Sequence, residues 1–241
     1  MKLKLPDVTL VMMDGTCPEL ARLALQDTLE LIEPRETLVF TPQPLLMPGT
    51  VWAEVPQWPD ADSYCDFLWY ELHKYIHTKF MLSIQWDAWV IDAGMWTDEF
   101  LEYDYVGAPW WFNDRYNVGN GTALRSLGLM RFLAEHSDVF TVDGKEDELL
   151  CRVYRPTLER HGFKWAPEQL ASRFAFECAR PSCESKHFMF HDSFNFPTVL
   201  DGSRLKERVR LMQENHYIRQ GRKLTELETG RKPVILDRLG S

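Results

Sequence analysis

No apolar run in this sequence approaches the roughly 20 residues that a helix needs to cross a bilayer, and no charged-then-apolar leader is readable at its start. A membrane span is therefore not expected, and the expected location is cytoplasmic. Cysteine is scarce as well: Cys17, Cys65, Cys151, Cys178 and Cys183 are odd in number and form no CxxC pair. That argues against a disulfide framework and a zinc knuckle, and for reduced thiols. Positive charge is in deficit, with 27 Lys and Arg against 36 Asp and Glu. A net charge of -9 offers no general attraction to phosphate backbones or anionic lipid. The basic residues from Arg204 to Lys232 alternate with Glu207, Glu214, Glu226 and Glu228, the pattern of a solvated helix face.

What is present is the composition of a folding chain. Hydrophobic residues make up 45% and charged residues 26% of 241 residues, enough for one large domain with a substantial core. Val8 to Met13 is a continuous apolar run ending at Asp14-Gly15, which predicts a strand covered on both faces and then a turn. Pro18 is placed to open a helix carrying Ala21, Leu25, Thr28 and Ile32, with Pro34 closing it. Thr37 to Thr41 reads as a second strand, and the proline-rich stretch from Pro42 to Asp60 as an irregular connection.

Tyr64 to Ile76 has helical spacing and leads into a strand over Phe80 to Ile84, which delivers Gln85-Trp86-Asp87 to its end. Tyr103 to Trp111 predicts a strand entering a loop, Asn117 to Gly121 a turn-rich loop, and Leu124 to His136 a helix. Glu146 to His161 has helical spacing that Pro156 should kink or divide. Phe163 to Trp165 and Phe188 to Phe190 are short strand candidates, and Ser203 is a candidate cap for a last helix. The whole predicts an α/β fold with a domain over 1–202 and a helical extension over 203–241 packed on it.

Asp87 is the first candidate for chemistry, because ligands of open α/β sheets collect at the carboxyl ends of strands. A carboxylate there can hold a divalent metal or simply cap a turn. Glu146-Asp147-Glu148 opens a helix, where the dipole favours acids with or without a function, and where a partly buried carboxylate can serve as a general base. His191 follows the apolar run Phe188 to Phe190 and can present an imidazole to a metal, whereas His73, His77, His136 and His161 fall on helical stripes or ends. Gly119-Asn120-Gly121 permits close backbone approach to a ligand, with Arg125 just beyond it, or is a plain turn. Tyr103, Tyr105, Trp110 and Trp111 offer flat faces suited to a sugar or a base, or to a core.

Taken in order, IQWDAWVID (84–92), DEFLEYDYVGAPWW (98–111), NVGNGTALRS (117–126), EDELLCRVYRPTLERHGFKWAP (146–167) and FMFHD (188–192) resemble a largely uncharacterised family of GT-A-like glycosyltransferases. The resemblance covers roughly residues 8–200. Gln85, Asp87, Tyr103, Asp104, Tyr105, Gly107, Ala108, Pro109, Trp110, Gly119, Asn120, Gly121, Leu124, Arg125 and Ser126 match its pattern, while Thr122-Ala123 departs from it.

The resemblance implies a GT-A, Rossmann-like, mainly parallel mixed sheet and transfer of a sugar from a nucleotide-sugar donor to a hydroxyl acceptor. Gln85-Trp86-Asp87 would stand in place of the DxD metal motif, with Asp87 and His191 as ligands of Mn2+ or Mg2+. Asp14 would lie near the base or ribose, with Gln85, Trp86, Asp104, Gly119, Asn120, Gly121 and Arg125 also on the donor side. Asp147, ahead of Glu146, would be the catalytic acid residue of the acceptor side. A glycan or small-molecule acceptor is expected ahead of a nucleic acid. Inversion and retention stay open, as do a non-catalytic binding protein, for which Gln85 argues, and a nucleotide-sugar hydrolase.

Overall fold

Strand β1, Leu3–Met13, shows why this chain builds three layers. Its residues alternate between faces: Val8, Leu10 and Met12 enter one hydrophobic cluster, and Val11 and Met13 enter the other. A strand apolar on both faces must be covered on both, and the other central strands repeat the pattern. The computed structural model describes residues 1–54, 61–177 and 186–215.

Along the chain follow helix α1, Pro18–Leu31, strand β2, Ile32–Thr41, and strand β3, Val51–Glu54. Helix α2, Ala61–Asp66, continues through a wide π turn at Phe67–Glu71 and a tight turn at Leu72–Tyr75. Strand β4, Phe80–Ile84, strand β5, Tyr105–Pro109, and strand β6, Val118–Ser126, complete the main sheet. Helix α3, Leu127–Glu135, precedes helix α4, Glu146–Glu148, which passes through a π turn at Leu149–Val153 into helix α5, Arg155–Arg160. Helix α6, Glu168–Phe174, runs directly into strand β7, Ala175–Phe176. Strand β8, Met189–Phe190, helix α7, Phe196–Val199, and helix α8, Gly202–Glu214, close the described chain.

The main sheet has the order β3-β2-β1-β4-β6-β5. β1, β2, β3 and β4 are mutually parallel, and β6 lies antiparallel between β4 and β5. The carboxyl ends of β1, β4 and β5 and the start of β6 therefore share one edge. A small parallel pair, β7-β8, is attached near that edge by the Val90–Met189 bridge. The expected mainly parallel mixed sheet between helical layers is observed. One face is covered by α1, α6 and α8 through Leu20, Leu25, Phe174 and Val209; the other is covered by Trp69, Leu129, Leu150 and Leu158.

Several predicted elements are displaced. β2 begins at Ile32 and contains Pro34, because β3 pairs with β2 only from Leu38 onward and Pro34 therefore lacks a neighbour on that side. Asn117 to Gly121 is not a loop: Val118 to Gly121 opens β6. α3 starts at Leu127, where the Ser126 hydroxyl accepts from Leu129 N at 3.1 Å as an N-cap. Pro156 divides the Glu146 to His161 region as expected, at Tyr154. Trp165 makes only a single bridge, to Tyr105. α8 opens at Gly202 after Asp201, one residue ahead of Ser203. It docks on α1 through Asp27, which pairs with Arg204 and Arg208. Cys178, Cys183 and residues 216–241 lie outside the described residues; Cys17, Cys65 and Cys151 are free thiols. No helix among the described residues is long and apolar enough to cross a membrane.

Candidate active site

Gln85-Trp86-Asp87-Ala88 forms a tight turn directly after β4, closed by Gln85 N to Ala88 O and Ala88 N to Gln85 O, each 3.0 Å. The Gln85 amide donates to the Tyr64 hydroxyl at 3.1 Å, and Trp86 packs edge-on against Phe196. The turn thus projects Asp87 from the carboxyl edge of the sheet toward the residues that follow β7 and β8.

Those residues are Glu177 and His191. The parallel pairing of Phe176 with Phe190 sets the two side by side, and His191 Nδ1 lies 3.1 Å from Glu177 Oε1. Burial pulls the His191 imidazole down, but the bond and charge of Glu177, then Asp87 and Asp192, outweigh it and raise the group to about 9. Burial pushes the Glu177 carboxyl up, and His191, with help from Trp110, brings it below its ordinary value.

Asp147 belongs to the same neighbourhood. Its carboxyl is raised to about 6, first by burial and then by Glu146, and the charges of Glu177 and His191 also act on it. Its Oδ1 accepts from Glu148 N at 2.9 Å. A carboxylic acid poised near neutrality is suited to proton transfer. From three other chain segments, Asp87, Asp147 and Glu177 thus lie near enough to His191 for charge to act between them, with Glu177 in direct contact.

The adjoining Glu146 is differently engaged. Arg125 Nη1 and Nη2 donate to its Oε1 and Oε2 at 2.6 and 3.2 Å, and Trp69 Nε1 donates to Oε1 at 2.9 Å. Arg125 is 3% and Glu146 6% exposed, so the two hold one another inside the protein. Arg125, expected just beyond a loop and reaching a donor, is a β6 residue pointing into this buried pair.

Asp104 is not brought to this edge. It precedes β5 at the opposite end of the sheet, where Oδ1 accepts from the Ser126 hydroxyl at 2.6 Å and Oδ2 from Lys164 N at 2.9 Å. The strand that follows Asp104, β5, runs from that end toward the edge of the turn at Gln85. Gly119 answers a packing need: a Cβ there would fall 2.2 Å from the Trp110 ring. Asn120 is fully buried with φ of 107°, and its Oδ1 accepts from Thr122 N at 2.8 Å. Gly121 does approach the site, since a Cβ on it would lie 3.7 Å from the Gln85 amide nitrogen.

Asp14 ends β1. Its Oδ1 accepts from Thr16 N at 2.8 Å and Cys17 N at 2.6 Å, and burial raises its carboxyl to about 6 despite those bonds. With Gly15, Thr16, Pro18, Thr41, Pro42 and Gln43 it lines a cleft of about 160 Å³ at the ends of β1 and β2.

Glu177 is the residue that sequence reasoning missed. It follows a two-residue strand that no periodicity announces, and only the β7-β8 pairing sets it beside His191. Among the described residues, no group of three or more His, Cys, Asp and Glu side chains converges as a metal cage would.

The comparisons bear on the fold. A glycosyltransferase involved in glycosylation of the major capsid of PBCV-1 is similar over 86% of this chain and 100% of its own, with a TM-score of 0.51 at 9% identity. An active-site mutant of LgtC covers 87% of this chain and 96% of its own, with a TM-score of 0.49 at 11% identity. Mouse xyloside xylosyltransferase 1 covers 83% and 100%, with a TM-score of 0.47 at 11% identity. The GT-A fold rests on the first of these together with the strand order. Among the curated proteins nothing matches the sequence. A family model described as a protein of unknown function (DUF5672) matches residues 61–188, more than half of the chain. The chain belongs to that family.

Proposed function

We propose that this DUF5672 protein is a glycosyltransferase that moves a sugar from a nucleotide-sugar donor to a hydroxyl-bearing acceptor, a glycan or small molecule ahead of a nucleic acid. The observation that carries the reading is the His191–Glu177 pair at 3.1 Å, with Asp87 and Asp147 near enough for charge to act between each of them and His191, at the sheet edge where folds of this kind place ligands. The nucleoside belongs in the cleft beside Asp14, at the ends of β1 and β2. Asp147 is the acceptor-side base: its elevated carboxyl takes the hydroxyl proton, which raises the nucleophilicity of the attacking oxygen.

A divalent cation, Mn2+ or Mg2+, is part of the proposal. Asp87 and His191 would hold it, a carboxylate and an imidazole, the imidazole giving up the extra proton that Glu177 favours on it. When bound, the ion supplies positive charge against the departing nucleoside diphosphate. With only two side chains assigned as ligands, the remaining coordination falls to phosphate oxygens and water. Glu146 and Arg125 hold one another inside the protein rather than a reactant, and Gln85, bonded to Tyr64, shapes the turn.

The test is a thermal-shift panel of UDP-, GDP-, ADP-, CMP- and dTDP-sugars, each with and without Mn2+. A single donor class should stabilise the protein, by about 2.7 kcal/mol at a hundredfold excess over Kd, and more strongly with Mn2+. Asp147→Asn should keep that shift and lose transfer. A flat panel, or a fully active Asp147→Asn, overturns the assignment.

A further inference from the structure

We infer that Trp111 is the stacking platform for a pyranose ring of the acceptor, which narrows the acceptor to a glycan. The inference rests on the proposed transfer and adds a substrate-binding residue to it. Four aromatic residues around β5 have flat faces to offer, and the fold withdraws three of them. Tyr103 precedes β5 at the far end of the sheet and packs against the first hydrophobic cluster. Tyr105 is fully buried and stacked on Trp165, with ring centroids 5.9 Å apart. Trp110 is 3% exposed, its ring covering Gly119. Trp111, the next residue, is 59% exposed.

A single exposed aromatic residue is ordinary on a protein surface, but this one is held in place. Trp110 N donates to Asn117 O at 2.5 Å, which closes residues 110–117 into a loop at the carboxyl end of β5. Within the loop Asp114 accepts from Tyr116 N at 2.8 Å and from Arg152 Nη2 at 2.9 Å, and Arg152 Nη1 donates to Tyr116 O at 2.8 Å. The same guanidinium lies 3.7 Å from the centre of the Phe112 ring. Phe112 in turn packs on Trp111, with centroids 5.2 Å apart and planes tilted by 33°. The loop is thus ordered before a ligand arrives, and a preorganised aromatic face binds more tightly for that reason.

Strand order gives this face to the acceptor. The nucleoside cleft lies at the ends of β1 and β2 and the Gln85 turn follows β4, whereas β5 lies two strands beyond β4 on the other side. At about 4.8 Å per strand, β5 stands about 10 Å from β4 and about 14 Å from β1. Trp111 and the cleft therefore flank the turn from opposite sides, so a base seated in the cleft is not the ring that stacks on Trp111. Trp110 joins the loop to the reaction centre, being near enough to Glu177 to help hold that carboxyl below its ordinary value. The surface also has the chemistry of a sugar site. Trp111 offers a flat apolar face to the C–H side of a ring, and the exposed Asp114 and Arg115 bring charged groups to its hydroxyl rim.

The experiment uses the full chain labelled with 5-fluorotryptophan. Of nine fluorine signals, one for each tryptophan, that of Trp111 is the one missing from Trp111→Phe. Methyl pyranosides of glucose, galactose, mannose, xylose, N-acetylglucosamine and fucose are titrated, and in parallel uridine, guanosine and cytidine, each with and without UDP or GDP. At least one pyranoside should move the Trp111 signal saturably. Its Kd, read from saturation-transfer spectra of the sugar, should rise about tenfold in Trp111→Ala and Trp111→Leu and stay within about threefold in Trp111→Tyr, because an aromatic anchor acts through its flat face. Each variant changes an exposed side chain, so folding is not at stake. A Trp111 signal that no pyranoside moves, one that nucleosides move instead, or an alanine variant with the parent's Kd overturns the inference. The donor panel separates this result from the proposed function. A stabilising donor with a silent Trp111 refutes the platform alone, whereas a sugar on Trp111 with no stabilising donor refutes the transfer and leaves a sugar-binding surface.

Discussion

Replacing Glu146 with alanine should damage stability far more than its position in an acidic run suggests. The Arg125 guanidinium is 3% exposed and donates to both Glu146 oxygens. Without them its nearest compensation is the Gly121 carbonyl at 3.4 Å and the Tyr105 ring, 5.5 Å from centroid to guanidinium carbon. Trp69 Nε1 also loses its acceptor. Breaking a buried pair by removing one partner costs about 3–5 kcal/mol, because the other charge stays desolvated. At roughly 2–4 °C per kcal/mol for a chain of this size, the Tm should fall by about 6–20 °C. Removing both charges with Arg125→Met/Glu146→Leu should recover most of the loss, since two apolar groups of similar volume leave nothing unpaired. Thermal and urea unfolding followed by circular dichroism reads both effects, and salt should change them little because the pair is buried. A fall of less than about 2 °C in Glu146→Ala, or a double variant no more stable than the single one, would refute the reasoning and make Glu146 a candidate for the reactive carboxylate again.

Two further predictions concern protonation. Asp147, raised to about 6, should give the transfer rate a basic-side plateau and an acid limb near that pH, falling about tenfold per unit below it; a limb near 4 would show an ordinary exposed carboxyl instead. Asp14 is likewise raised from 3.8 to about 6, so the folded chain binds the extra proton. Its contribution to stability is fully present below about pH 4 and is lost as the pH rises to about 6, by about 2–3 kcal/mol. Asp14→Asn keeps an oxygen for Thr16 N and Cys17 N, so its urea midpoint should not decline over that window. Parallel curves for the two proteins would place the burial cost elsewhere.

Local pattern was sufficient where burial is two-sided or a side chain acts on its own turn. Val8 to Met13 and Phe80 to Ile84 are legible as strands because apolar residues on both faces admit no other use at that length. Pro18 and Pro156 mark helix starts because a missing N–H costs nothing there. From these follows the α/β layering, and with it the edge where Asp14 and Gln85-Trp86-Asp87 emerge. The sequence by itself also presented Asp147 and His191 as candidates, through an acidic helix start and an apolar run.

Which of these candidates stand together was decided by long-range pairing. Glu146 and Asp147 are neighbours in sequence with the same chemistry, yet one is committed to Arg125 on β6 and the other is near enough to Glu177 and His191 for their charges to act on it, because adjacent helical residues point about 100° apart. Gly119-Asn120-Gly121 has the composition of a turn, but pairing with β5 and the ring of Trp110 over Gly119 go with its being strand throughout. Asp104 reads as a site residue until the direction of β5 puts it at the far end of the sheet. Glu177 carries no signal in its own neighbourhood; it becomes meaningful only when β7 meets β8 across 14 residues of chain. Sequence determines what each segment must bury, and the tertiary structure determines which polar groups that burial leaves face to face, because contact across distant segments depends on strand order and direction that no local pattern contains.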